Sequence, residues 1–372
     1  MMMRVLFSIL TVMIGTLGHA QELPDLNRNL RSLGMGGVQV STVAPADAVF
    51  YNPAALGRVE GLNFQLLNAG VGVNGLDVYD KIKDAGDLTD INNFNNLVGT
   101  RVWLDGVGKT SFTMPNFGVG YYTDYQQILE LHDPAFPKFK TFFQNDTSTV
   151  VGGAFSLGPS SYLGMSFKRV TRWGGDTLDI DASTVTNVED MIALKDRFEN
   201  KGQGYGIDLA VMTELDGPFK PNLSLVWRDI GDTAFTKTSG TEAPPHIKQN
   251  LVFGAGMGLD LPGLDWAFGF EARHLLESDV QLGKKLHLGT EISLPFIDLR
   301  GGINQGYFTY GVGFNFLVFR FDAVSYTEEI GTYPGQTADN RIMVGVGIDL
   351  SFDADFKFTD NNGKKRKLKQ RR

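Results

Sequence analysis

The chain contains no cysteine in 372 residues. That excludes disulfides, thiolate nucleophiles and cysteine-bound metals, and it argues against a lipid-anchored lipoprotein. Histidine is nearly as scarce, with 5 in all. His132, His246, His274 and His287 form no pair at helical metal-ligand spacing, and no G-x-S-x-G elbow is present. We therefore expect no enzyme, no cofactor and no metal site. No stretch approaches the ~18 apolar residues of a membrane-spanning helix. If the chain enters a bilayer, it must do so as a closed barrel, the other form that satisfies every backbone group. Nor is there a basic stripe along the body, so nucleic acid is not an expected partner.

What is present begins with a leader. Arg4 follows three methionines, residues 5–17 are mostly apolar, and Gly18-His19-Ala20 offers the small residues that a signal peptidase reads. This predicts a secretory signal peptide over residues 1–20, cleaved near Ala20. Beyond it the chain holds 45 glycines and 27 phenylalanines. From about Phe117 onward they fall into a beat of two. In the last run Ile342, Val344, Val346, Ile348 and Leu350 share one face, and Met343, Gly345, Gly347 and Asp349 share the other. Successive strand side chains point to opposite faces. One face is greasy and the other small and polar, the pattern of a membrane barrel with lipid outside and a polar lumen.

Such runs recur at short intervals, separated by turns that alternate tight and long, as periplasmic turns and outer loops do. About thirteen can be counted, and a single-chain barrel normally needs an even number. One further strand within residues 97–113 restores parity. The expected fold class is all-β: a transmembrane antiparallel β-barrel of about fourteen strands, with twelve as the alternative. The expected boundaries are 21–61 for an irregular N-terminal segment, 62–358 for the barrel and 359–372 for a basic periplasmic tail. A short helix is expected over 188–200, and a weak helical run near 78–83 lies in a long polar loop. The structure of that loop, residues 76–110, is not readable from the sequence.

Charges on the inner parity are expected to face the lumen, because Arg or Lys facing lipid at mid-depth costs about 2–4 kcal/mol. They are Lys168, Asp208, Arg228, Asp260, Glu271 and Arg273, followed by Glu291, Asp298, Arg300, Arg320, Asp322 and Asp349. A ladder of ion pairs propping the barrel is the plainer reading, and a pathway lining the functional one. Residues 70–75 match G-x-G-x-x-G. With no parallel βαβ pattern after them, they read as a strand end running into a loop. The net charge is −8, yet seven Lys or Arg lie between Lys364 and Arg372. That run is either solvated or a contact for a periplasmic partner.

Two segments resemble a known group. Leu33-Gly34-Met35-Gly36-Gly37, then Ala46-Asp47-Ala48 and Phe50-Tyr51-Asn52-Pro53-Ala54, is similar to the N-terminal region of the FadL-like outer-membrane superfamily. Tyr326-Thr327-Glu328-Glu329, Gly331, Pro334-Gly335-Gln336, Asp339 and Arg341, before a final alternating strand, resemble its PorV-type and TraF-annotated members. The resemblance implies a Gram-negative outer-membrane barrel of fourteen strands. The N-terminal segment would fold into the lumen as a plug, or hatch. Gly34, Gly36, Gly37, Asn52, Pro53 and Ala54 would shape or gate it. It also implies binding or transport of a hydrophobic small molecule or lipid. Alternatives are a non-transporting scaffold or shuttle for secretion or envelope machinery, and a diffusion porin. The expected partners are outer-membrane lipid and a hydrophobic ligand. The inward strand positions look like glycines and charges, so an apolar site would need the plug or the outer loops. Candidates there are Trp103, Leu104, Ile128, Leu129, Phe136, Phe139, Phe142 and Phe143.

Overall fold

A computed structural model describes residues 22–23, 28–74, 99, 101–132, 138–181 and 199–352. Among the described residues there are fifteen strands, and every pairing between them is antiparallel. In chain order they are β1 (Leu62–Asn74), β2 (Arg101–Met114), β3 (Phe117–His132), β4 (Lys138–Gly158) and β5 (Ser161–Asp181). Then come β6 (Lys201–Glu214), β7 (Asn222–Arg228), β8 (Phe235–Ser239), β9 (Asn250–Leu261) and β10 (Leu264–Ala272). The last are β11 (Leu286–Ser293), β12 (Ile297–Asn304), β13 (Tyr307–Phe316), β14 (Phe319–Glu329) and β15 (Ala338–Phe352). β1 pairs with β15, β5 with β6 and β7 with β9, so fourteen strands close into a barrel with no free edge. β8 is extra, lying against the upper end of β6. The hidden strand is β2, which takes the last part of the loop expected over 76–110.

The beat of two becomes the two faces of the wall. Phe308, Tyr310, Val312, Phe314 and Phe316 of β13 stand exposed on the outer surface, as do Leu163, Met165 and Phe167 of β5. Closure abolishes sheet edges, and the outer apolar band needs no protein partner because lipid covers it. The wall is uneven in height. β4 and β5 each run 21 residues, whereas β11 and β12 have 8. About 9–11 residues cross a bilayer, so β4 and β5 rise well beyond it. Tight turns join β2–β3, β4–β5, β9–β10 and β13–β14 at one end. At the other end one connection departs from the expected long loops. Gln305 (φ 51°) and Gly306 (φ 93°) make a two-residue turn between β12 and β13, the left-handed pair that matches strand twist.

The lumen is not lined by glycine and charge alone, and here the structure corrects the sequence reading. Val150, Ala154, Tyr162, Ala210, Met212, Val226 and Val252 point inward and are buried. What buries them is the chain before β1. It comprises helix α1 (Leu30–Gly34), a 3₁₀ turn at Pro45–Asp47, helix α2 (Ala48–Tyr51) and a second 3₁₀ turn at Pro53–Arg58. Val40, Ala48, Val49, Phe50, Ala54, Ala55 and Leu56 from this segment complete one apolar cluster with those strand residues. Burying a Val- or Leu-sized side chain stabilises by about 1.5–3 kcal/mol, so this cluster holds the segment in the barrel.

The inward glycines gain a reason from the same packing. A Cβ on Gly164 would lie 2.1 Å from the Ala54 amide nitrogen, and one on Gly289 would lie 2.0 Å from the Met35 carbonyl oxygen. The wall is thinned to backbone where the segment's own backbone touches it. The GxGxxG match falls within and just after β1, where a Cβ on Gly70 would meet Leu30 and one on Gly72 would meet Met343 and Trp103. The helix expected at 78–83, residues 188–198 of the one expected over 188–200, Phe136, the Phe139 side chain and the basic tail lie outside the described residues, and Glu199 and Asn200 are not helical.

Candidate functional site

The N-terminal segment sets the geometry of the lumen. At Gly36 the backbone is left-handed (φ 65°), and a Cβ would meet the Leu288 carbonyl at 2.2 Å. The Gly36 amide donates to Thr309 Oγ1 (2.9 Å), and the Thr309 hydroxyl donates to the Gly34 carbonyl (3.1 Å). The His287 ring donates from Nδ1 to the Gly36 carbonyl at 2.9 Å. Gly34 itself lies against Gly311, and Gly37 (φ 89°) turns the chain away beside His287. Asn52 is fully buried. Its Oδ1 accepts from the Ala54 amide, capping the second 3₁₀ turn, and its Nδ2 donates to the Val40 carbonyl (2.8 Å) and Ser224 Oγ (3.2 Å). Pro53 opens that turn, where its missing N–H is harmless.

Charged side chains hold the segment from several sides. Arg31 clasps Glu291 through Nε and Nη2 at 2.8–3.1 Å, and Glu291 accepts from Arg300 at 2.7 Å. Arg300 reaches Asp322 (2.5 Å) and Asp298 (3.0 Å), and Arg320 joins Asp322 to Asp349. On another wall Lys109 donates to Asp47 (2.7 Å) and to the Tyr51 hydroxyl (2.9 Å). The Glu271 carboxylate accepts from the amides of Gln39 and Val40 and from Arg273 Nε. Near the upper rim Arg341 and Arg101 meet Glu22 at 2.8 and 2.7 Å, and Arg28 meets Asp105 at 2.8 Å. Trp103 is fully buried between these arginines, its ring 4.2 Å from the Arg341 guanidinium and edge-on to Tyr326. Each pair satisfies a charge that would otherwise be stranded in a low-dielectric interior.

Most charges read from the sequence sit in these networks or in one made by Lys168, Asp208 and Asp229 at 2.8–2.9 Å. Arg228 is half-buried over the Tyr51 ring, and its Nη2 donates to the Tyr51 carbonyl at 3.4 Å. Asp260 keeps the inner parity but stands exposed at the end of β9, paired with Lys220 at 2.6 Å. Sequence reasoning missed Glu22, Arg28, Arg31, Asp105, Lys109 and Arg341 as lumen charges. The parity of Met343 could have found Arg341, whereas Arg28, which precedes α1, and Arg31, within it, reach different walls and share no local pattern. The rest needed β2 to be placed first.

Above the segment lies a cavity of about 660 Å³. Phe50 and Tyr51 of α2 lie at it, with Tyr122, Val150, Ile128 and Phe142 from β3 and β4. Lys168, Arg172 and Arg228 add charge, and residues of the loops after β7, β10 and β14 complete it. The aromatic candidates divide accordingly. Ile128 and Phe142 line the cavity. Leu104 and Leu129 are exposed, and Phe143 packs with Tyr125 and Trp173. All of these lie on strands rather than in loops, because β2, β3 and β4 rise so high. In the loop after β10 the His274 ring donates to Glu277 at 2.6 Å. That hydrogen bond, with the charges of Lys248 and Lys285, holds the Glu277 carboxyl below the usual carboxylate range.

No family profile matches the chain, and no curated protein is significantly similar to it in sequence. Solved structures do match. Two are deletion variants of the TodX monoaromatic hydrocarbon channel, with TM-scores of 0.53 and 0.52 at 12% and 13% identity. Both cover 88% of this chain, and 99% and 100% of their own. The toluene transporter TbuX of Ralstonia pickettii aligns with a TM-score of 0.49 at 12% identity, over 88% of this chain and 98% of its own. A closed barrel of fourteen strands, whose Gly-Met-Gly-Gly and Asn-Pro-Ala motifs precede the first strand, has the fold of the FadL-like outer-membrane barrels.

Proposed function

We propose that this protein is an outer-membrane carrier for a hydrophobic small molecule. On this reading the N-terminal segment is a hatch, and the cavity above it receives the cargo from the long-loop end. The observation that carries the proposal is that Phe50 and Tyr51, the aromatic floor of the cavity, belong to the same segment as Gly34, Gly36, Gly37, Asn52, Pro53 and Ala54. Cargo resting on that floor touches the element that must move for it to pass. The relatives of known structure described as monoaromatic hydrocarbon channels support an apolar cargo.

The test is lipid extraction and native mass spectrometry of the detergent-purified barrel. A stoichiometric apolar ligand, lost in an N52A/P53A variant that still folds, is expected. An empty barrel that binds neither a fatty acid nor a monoaromatic hydrocarbon saturably would overturn the proposal. A second reading, a non-transporting scaffold, draws on how firmly ion pairs and glycine contacts seat the segment. It predicts a specific envelope partner recovered by cross-linking, with or without the basic tail.

A further inference from the structure

The outer surface of the tall wall changes character part-way up. Val119, Val151, Phe167 and Ile207 form one row across β3 to β6. Directly above stand Tyr121, Thr149, Arg169 and Tyr205, and then Thr123, Thr147, Thr171 and Gln203. The row above those ends in Trp173 and Lys201, with the Lys201 ammonium 4.3 Å from the centre of the Trp173 ring. Arg169 is exposed and donates to the Gln203 amide oxygen at 3.0 Å. Tyr205 stacks on Phe167, with ring centres 5.7 Å apart.

A cation facing acyl chains at mid-depth costs about 2–4 kcal/mol, so Arg169 marks where the apolar band gives way to headgroups. The chain as a whole is acidic, at net charge −8. Yet within residues 121–125, 145–149, 169–173 and 201–205 the acids are Asp124 and Asp146, both turned inward and buried. The outward patch is thus two cations, a field of hydroxyls and the amides of Asn145 and Gln203, with no carboxylate. Arg169 lies opposite Tyr205, four residues along β6 from Lys201. At ~3.3 Å per residue the two backbone positions are about 13 Å apart along the wall, and the Arg169 guanidinium, bonded to Gln203, leans towards Lys201.

We propose that this patch binds the head of a diphosphorylated glycolipid in the outer leaflet. One phosphate would sit on Arg169 and the other on Lys201, with sugar hydroxyls on the threonines and Gln203. The acyl chains would lie on the apolar row below. Charge complementarity selects phosphate, and two cations on one face without a carboxylate select a head that carries two of them. This proposal rests on the outer-membrane reading, and the two fail separately: cell fractionation tests the location, and lipid retention tests the patch.

The experiment reconstitutes the full chain in phosphatidylcholine vesicles doped with a diphosphoryl glycolipid or its monophosphoryl analogue. Retained lipid is counted by native mass spectrometry after mild delipidation. The wild type is expected to keep the diphosphoryl lipid over both others. R169Q/K201Q is expected to keep about 10-fold less, the equivalent of about 1.4 kcal/mol, and R169K/K201R to keep it nearly unchanged. Heat-modified migration checks that each variant is folded. Equal retention of phosphatidylcholine, or full retention by folded R169Q/K201Q, would overturn the proposal.

Discussion

Single residues decide how the segment seats. Gly36 and Gly263 both have positive φ, 65° and 80°, but a Cβ on Gly36 would collide with Leu288 and Ile303, whereas Gly263 has nothing within 4 Å. G263A should therefore cost only the conformational strain of a left-handed residue, about 1–2 kcal/mol. G36A should cost more and loosen the segment, which thermal unfolding and limited proteolysis would show. If the two variants behave alike, the close packing at Gly36 is not what holds the chain. The Arg31–Glu291–Arg300 chain gives a second contrast. R31Q leaves Glu291 with Arg300, whereas E291Q strands Arg31 without a carboxylate while Arg300 keeps Asp298 and Asp322. Breaking a buried pair costs about 3–5 kcal/mol when a charge is stranded. E291Q should therefore destabilise more than R31Q in a denaturant titration, and the reverse order would remove Glu291 from its central place.

At the scale of elements, the upper loops are shaped by single carboxylates. The Glu329 carboxylate accepts from the amides of Gly331, Gln336 and Thr337, so the motif between β14 and β15 is a loop built around one acceptor. The loop after β10 leans on His274 and Glu277 in the same way. Because the folded Glu277 carboxyl titrates below its ordinary range, its contribution is present above the unfolded value of about 4.3. It is lost as the pH falls through the folded value. The group is partly exposed, so the effect should stay under about 1 kcal/mol. Hydrogen exchange in this loop should quicken relative to the strands as the pH drops below about 4, and E277Q should flatten that response. An unchanged response in E277Q would assign it to another group.

At the scale of the whole molecule, the question is whether the segment moves. The chain has no cysteine, so an engineered pair reports without background. Asn52 and Ser224 are within hydrogen-bond reach, at 3.2 Å. An N52C/S224C barrel, oxidised, should lose uptake of an apolar cargo, and reduction should restore it. Uptake that persists while the bond is closed would make the segment a fixed partition and shift weight to the scaffold reading. The seated segment also predicts no stable single-channel conductance, and its presence in planar bilayers would revive a porin.

The sequence by itself determined which residues face lipid and which face inward, since a period of two leaves a strand little choice once one side is hydrocarbon. Parity also demanded the strand that became β2. The sequence could not say what the inward face meets, because that depends on contacts between residues hundreds of positions apart. Gly164 and Ala54, or Arg31 and Glu291, share no local pattern. Only the tertiary structure turned inward glycines into a seat for another backbone and inward charges into clasps around it. The tilt and register of fourteen closed strands bring those positions together, and neither is written in any one strand.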